Sequence, residues 1–295
     1  MLSIMQEDGL HAGDTIIEID SGHGGSWLPG FVEAGLVARG TGSSADLVVD
    51  LHGLMHETDL DAAVAAHAAR MAPGGRLICE FYYLGALVQD SLIDTIRHGH
   101  YSYLSLVAAT HAFSRHELVV TRAQRVPTFG GSLRLVIRRA QDGVGADASV
   151  RELMSAERRS NLDNVAALED LEKRGKAAAT AFRTLLLSAA QTSTSAAGYG
   201  APSKAAVLMA LAGVDATLLP YTVDMAPAKA GRRIPGANVP IRPVEQLIID
   251  KPAIVVVLTW DIAAEVITNL RHMSADSDWV PRFWVPLPKP GFISV

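Results

Sequence analysis

Apolar and polar positions alternate along this chain in a way that predicts strands and helices in turn. Residues 15–19 (TIIEI) read as a strand that runs straight into the glycine-rich Ser21-Gly22-His23-Gly24-Gly25. Phe31, Val32 and Leu36 then predict a short helix, and 45–50 (ADLVVD) a second strand. A helix is expected over 59–71, stopped by Pro73-Gly74-Gly75, which cannot continue it. A third strand follows at 76–82, and 118–122 with 133–138 read as an antiparallel pair that closes the sheet. Strands alternating with helices build a largely parallel sheet covered on both faces.

The stretch 141–145 (QDGVG) breaks this pattern, and Ser149-Val150-Arg151-Glu152 has the spacing of a capping box. A long helix is expected from there, with Leu162, Val165, Leu168 and Leu171 as its apolar stripe, resuming at Phe182, Leu185 and Leu186. A second α/β unit opens with a strand over 194–197, the loop Gly198-Tyr199-Gly200-Ala201-Pro202 and a helix over 203–212. Its continuous apolar strand 254–258 suits burial on both faces. The fold class is therefore α/β, a Rossmann-like sheet followed by a second α/β domain. The division expected is 1–145, a helical connection 146–192, and 193–295.

Length and composition fit this picture. A chain of 295 residues with 49% hydrophobic and 19% charged residues excludes disorder and is long enough for two cores. No apolar run approaches the roughly 18 residues of a membrane span. Net charge is −5, with no basic block, so neither nucleic acid nor a membrane is expected as a partner. The single Cys79 excludes an internal disulfide framework or a multi-cysteine metal site. The first residues lack the basic-then-apolar layout of a signal peptide, which makes the cytoplasm the expected location.

Both glycine turns, at Gly22 and Gly200, place backbone N–H groups and a helix start where a nucleotide or a sulfonium cofactor could lie, or are simply tight turns. Neither spells the full dinucleotide fingerprint, and 38–45 (ARGTGSSA) holds no carboxylate for a ribose; Asp46 is the nearest. His52 and His56, four apart, invite a metal reading, but Gly53 stands where a metalloprotease pair has glutamate. His98-Gly99-His100 is more informative, because Tyr101-Ser102-Tyr103 follow it directly and histidine titrates near neutral pH. A cation in the first turn of a helix, Lys204, is unfavourable unless an anion lies beside it, which suggests a phosphate. Asp224, Lys229, Arg232 and Arg233 form a loop that suits a diphosphate clamp as readily as a solvated surface.

Several segments together resemble the sugar C-methyltransferases, which use S-adenosylmethionine to methylate a ketosugar carried on thymidine diphosphate. Residues 94–106 resemble that family's DTIYHEHLSYFSL; 127–134 (PTFGGSLR) are similar to its PTHGGSLR, and 198–204 (GYGAPSK) to its GYGAPAK. Asp224 to Gly236, Val239-Pro240-Ile241, Trp260 and the run Phe283 to Pro288 follow its C-terminal domain in order. The resemblance implies a methyltransferase-type sheet, His100 as the base, His98 and Tyr103 beside it, and a nucleotide-diphosphate sugar on Tyr199, Lys204, Asp224, Lys229, Arg232 and Arg233. It implies cofactor contacts at Glu18, Ser21, Gly22, Gly24 and Asp50. Departures are equally specific. Asp20 and His23 alter the cofactor turn, usually EIGSNDG, and Arg97, Gly99 and Phe129 replace a tyrosine, a glutamate and a histidine. Between Gly40 and Ser43 an acidic strand end, a helix and a strand are missing, so S-adenosylmethionine is expected to bind weakly or not at all. Family members carry an N-terminal zinc domain that this sequence does not include, and no zinc is expected. Two functions are open at this point: C-methylation, or a cofactor-independent rearrangement or binding role on the same scaffold.

Overall fold

A computed structural model describes residues 1–19, 22, 25–275 and 277–293. The chain forms two compact units, Met1–Ala86 with His98–Asn164, and Leu87–Arg97 with Val165–Val295.

The first unit opens with α1 (Leu2–Glu7), β1 (Thr15–Ile19), α2 (Leu28–Glu33), β2 (Val37–Ala38) and β3 (Ala45–Leu51). It continues with α3 (Leu60–Arg70) and β4 (Met71–Tyr82); α4 (Leu84–Gln89) then carries the chain out of the unit. After the chain returns come α5 (Leu106–Ser114), β5 (Leu118–Val126), β6 (Ser132–Arg139) and α6 (Ala148–Arg159). The sheet order is β2-β1-β3-β4-β6-β5, parallel as far as β4 and antiparallel through β6 and β5. Successive side chains of a strand face opposite ways, so both faces of the central strands are apolar. Val48, Leu77, Cys79 and Phe81 pack with α3 and α5 residues on one side; Leu47, Val49 and Ile78 pack with Ile16 and Phe31 on the other.

Local chemistry sets the boundaries. Asp59 caps α3 by accepting from the Ala62 N–H. That helix stops at Arg70, before the predicted proline, because Met71 is already extended and pairs with Ala45. Pro73-Gly74-Gly75 lies instead in an irregularity at the start of β4, where the register shifts between Ala45 and Leu47. The cap of α6 is Asp147 rather than Ser149: its carboxylate accepts from the N–H groups of Ser149 and Val150. The predicted long helix is broken at 160–164, where Asn161 adopts φ 48° and Leu162 is buried within the break.

In the second unit, α7 (Val165–Gln191) follows that break. Val165 and Leu168 are exposed, so its buried face begins only at Leu171 and continues through Phe182 and Leu186. Then come β7 (Ala196–Tyr199), α8 (Ser203–Ala212), β8 (Thr222–Val223), β9 (Ile241–Arg242), α9 (Glu245–Asp250) and β10 (Ile254–Val257). The last elements are α10 (Ala263–Met273), β11 (Arg282–Val285) and β12 (Gly291–Ile293). Order β12-β11-β10-β7-β8-β9 is parallel except for β12. The residues expected as one helical connection thus divide between the units, α6 with the first and α7 with the second. No helix among the described residues is long and apolar enough to cross a membrane.

The start of α5 depends on one buried carboxylate. Glu157 accepts from the N–H groups of Leu106 (2.6 Å) and Val107 (3.0 Å), while Ser105 Oγ accepts from Ala108. These are donors that a helix cannot satisfy internally. Replacing Glu157 by alanine is expected to destabilise the protein by about 2–3 kcal/mol, since it leaves buried N–H groups unpaired. Urea unfolding checks this; a change below about 0.5 kcal/mol would show that the cap is dispensable.

Candidate active site

Parallel sheets offer their strand ends as ligand sites, and in the first unit the ends of β3 and β4 carry the polar groups. Leu51 pairs with Glu80, and the His52 N–H donates to the Glu80 carbonyl (2.7 Å). The Glu80 side chain is buried and takes Arg134 Nε (3.0 Å) and Nη2 (2.9 Å) on its Oε2. Burial alone would raise the Glu80 carboxyl; His52, Arg134 and Thr128 outweigh it and hold it below its ordinary value. Arg134 also lies over the Trp27 ring, 4.5 Å from its centroid.

His100 reaches this place because its loop is tied down on both sides. Tyr101 N–H donates to the Met55 carbonyl (2.8 Å), and His56 Nδ1 lies 2.5 Å from the Gly99 carbonyl, which fixes the proton on that nitrogen. Leu104 bridges to Tyr83. His100 is buried, with its ring 5.2 Å from Tyr82, 4.9 Å from His56 and 6.0 Å from Tyr103, whereas His98 is exposed. Phe129, at φ 54°, faces His52 (4.8 Å) and Tyr82 (5.8 Å). Gly131 follows at φ 140°, and a Cβ there would stand 2.5 Å from the Ala86 Cβ, so a side chain at that position is excluded. Glu80, Tyr82, His52, His56 and Arg134 thus join the expected His100 and Tyr103. Strand-end neighbours leave no local motif: Arg134 lay inside the quoted PTFGGSLR, His52 and His56 stood out only as a spaced pair that suggested a metal, and Glu80 and Tyr82 carried no signal.

Two of the residues expected at the cofactor, Glu18 and Asp50, have partners within the protein. Glu18 Oε2 accepts from the N–H groups of Trp27 (2.6 Å) and Leu28 (3.0 Å) and so holds the start of α2. Asp50 is buried, with Oδ1 accepting from the Gly53 N–H (2.7 Å) and Oδ2 2.6 Å from His67 Nε2. Gly22 has φ 66°; Ser21 and Gly24, like Asp20 and His23, lie outside the described residues. Asp50, His67 and Cys79 place three metal-ligand types within 4.8 Å of one another. Both His67 nitrogens already meet protein acceptors, Ala63 O and Asp50, and burial pushes the Cys79 thiol well up, which makes the group a core cluster. His52 and His56 do not share a helix face, since His52 sits at φ 62° before a short 3₁₀ turn.

In the second unit, the anion beside Lys204 is supplied by the protein. Lys204 is nearly buried, its Nζ lies 2.6 Å from Asp261 Oδ1 and 4.0 Å from the Trp260 ring centroid, so the helix-start argument needs no phosphate there. Lys229 pairs with Asp224 (2.9 Å), which also accepts from the Ala201 and Ala226 N–H groups and so braces the loop. Tyr199 is buried, and burial, then Asp224 and Glu265, raise its hydroxyl. Arg232 and Arg233 are exposed, the latter donating to the Asn238 carbonyl.

Asp94 completes the Lys204 group. Its Oδ2 accepts from Trp260 Nε1 (2.8 Å), and burial, tempered by Lys204, pushes its carboxyl up to about 6. A raised carboxyl binds its proton more tightly in the folded state, so the stability it contributes is complete below about pH 4 and is lost as pH rises through 6. Replacing Asp94 by asparagine should therefore stabilise the protein relative to wild type more at pH 7 than at pH 4.5, by about 2 kcal/mol. Denaturant unfolding at the two pH values measures this; parallel profiles would show that Asp94 does not titrate there.

The profile of the C-methyltransferase C-terminal domain family matches residues 127–288. The C-methyltransferase NovU of Streptomyces niveus is 28% identical over 250 residues, 85% of this chain and 59% of that protein. This chain thus spans less than two thirds of the relative's length. Among solved structures, a Burkholderia thailandensis 1,6-didemethyltoxoflavin-N1-methyltransferase is 12% identical (TM-score 0.37; 47% of this chain, 75% of that one). A magnesium protoporphyrin IX methyltransferase of Synechocystis is 16% identical (TM-score 0.37; 47% and 80%). With more than half of its length matched by that profile, the chain belongs to the C-methyltransferase C-terminal domain family.

Proposed function

We propose that this protein works as a C-methyltransferase-type enzyme, acting on the carbon beside a carbonyl in a nucleotide-diphosphate ketosugar or a related natural-product intermediate. The observation that carries the reading is His100, buried against Tyr82, His56 and Tyr103 at the strand ends while His98 is exposed. An imidazole shielded from water and held on a fixed loop is suited to take a proton from carbon. The C–H electron pair then becomes the C=C bond of an enolate, and the carbonyl oxygen takes up the charge. On the second unit, Arg232 and Arg233 are the exposed cations for a diphosphate, with the loop braced by the Lys229–Asp224 pair.

The family implies a methyl donor, S-adenosylmethionine. The residues here do not match its ribose: β2 is followed by exposed 39–44 without a carboxylate, and Glu18 and Asp50 are bonded within the protein. No methyl-transfer step is therefore derived. The same observation favours a second reading, in which the enolate is reprotonated or rearranges with no donor at all.

Deuterium wash-in from heavy water into a thymidine-diphosphate ketosugar, followed by mass spectrometry, tests the common step. Wild type should exchange one carbon-bound hydrogen, and His100→Asn should lower that rate by at least about 100-fold. Full exchange by the variant would refute the assignment. Labelled methyl incorporation from S-adenosylmethionine then separates the readings: label in the product establishes methylation, and exchange without label establishes the donor-free reaction.

A further inference from the structure

His52 is left over by this account, and its surroundings are unusual. It directly follows β3 in the left-handed region, at φ 62°, a conformation that histidine adopts more readily than most side chains. Its side chain is buried, packed edge-on against Phe129 (4.8 Å) and Tyr82 (5.4 Å). Nε2 lies 3.4 Å from Glu80 Oε1, a long contact of the kind that tightens when a substrate closes the site. Both ring nitrogens are buried and neither completes a hydrogen bond of ordinary geometry among the described residues; Nε2 has Glu80 as its neighbour, and Nδ1 has no protein partner. A buried polar atom in that position costs free energy unless something completes it. Glu80 is held in place, because Arg134 takes its second oxygen from two nitrogens and Thr128 also donates to the carboxylate.

We propose that His52 is a second acid–base residue of this site, aligned by Glu80 and facing the carbonyl oxygen of the substrate through Nδ1. A carboxylate on one ring nitrogen directs the other nitrogen to the chemistry and stabilises the imidazolium. Tyr82 touches both His52 and His100, so the two imidazoles border one small substrate. As His100 takes the proton from carbon, the C–H pair forms the C=C bond and the carbonyl π pair moves to oxygen. The His52 imidazolium gives its Nδ1 proton to that oxygen and remains as neutral imidazole, with Nε2–H toward Glu80. The reverse sequence restores the ketone and both histidines, and the proton on His100 exchanges with solvent. Phe129 supplies the apolar wall on the remaining side. The inference rests on the enolising function proposed above and adds the residue that neutralises the oxygen.

His52→Asn is the informative variant, because asparagine adopts the left-handed conformation more readily than other side chains. Using a thymidine-diphosphate ketosugar as the probe, wash-in should fall at least about 30-fold relative to wild type, with Tm changed by only a few degrees. Exchange within twofold of wild type would overturn the role of His52 while leaving the enolising function standing. A wild-type protein with no exchange at all would overturn both. Should the variant fail to fold, nitrogen-15 NMR of wild-type His52 decides: the neutral ring must carry its proton on Nε2, and a dominant Nδ1–H form would refute alignment by Glu80.

Discussion

The buried carboxylate of Glu80, neutralised by Arg134 at the end of β4, is the interaction on which the first unit's site depends. An ionised carboxylate in such a place is tolerated only when paired and hydrogen-bonded. Arg134 comes from β6, its register partner, so the antiparallel addition to a parallel sheet delivers the countercharge. The same carboxylate meets His52, which directly follows β3, and Arg134 extends the group to Trp27. Strand pairing, which the hydrophobic pattern dictates, thereby gathers charged groups that lie far apart in sequence.

The strands were legible because their burial is two-sided and simple. Leu47 and Val49 face one way and Val48 the other, and no other arrangement suits so apolar a run. Boundaries were less so, for identifiable reasons. Pro73-Gly74-Gly75 reads locally as a helix stop, but the main-chain pairing of Met71 with Ala45 ends the helix first. Ser149 has the spacing of a cap, yet Asp147 competes for the same N–H groups with a full charge. Val165 and Leu168 continue an apolar stripe in the sequence and stand in solvent, because the chain breaks at 160–164 and the buried face of α7 begins only at Leu171.

At the site, local reasoning found the need and missed the source. The helix-start position of Lys204 did require an anion, but the anion is Asp261, 57 residues away, with Trp260 and Asp94 completing the group. Glu18 and Asp50 were sensible cofactor residues by position; their oxygens serve the start of α2 and the turn at Gly53 together with His67. The resemblance pointed to His100 and the burial of its side chain places it among Tyr82, His56 and Tyr103. Only the pairing of β3 with β4 brings Glu80 to His52, and Tyr82 touches the rings of both His52 and His100.

The histidine cluster at the strand ends of the first unit carries the proposed chemistry. Carbon-13-labelled histidine NMR, recorded while a thymidine-diphosphate ketosugar is added, addresses it without requiring turnover. The ring resonances of His100 and His52 should shift together along one saturating curve while exposed His98 stays in place. Saturable binding that moves His98 and leaves His100 and His52 unchanged would contradict the assignment of this cluster as the active site.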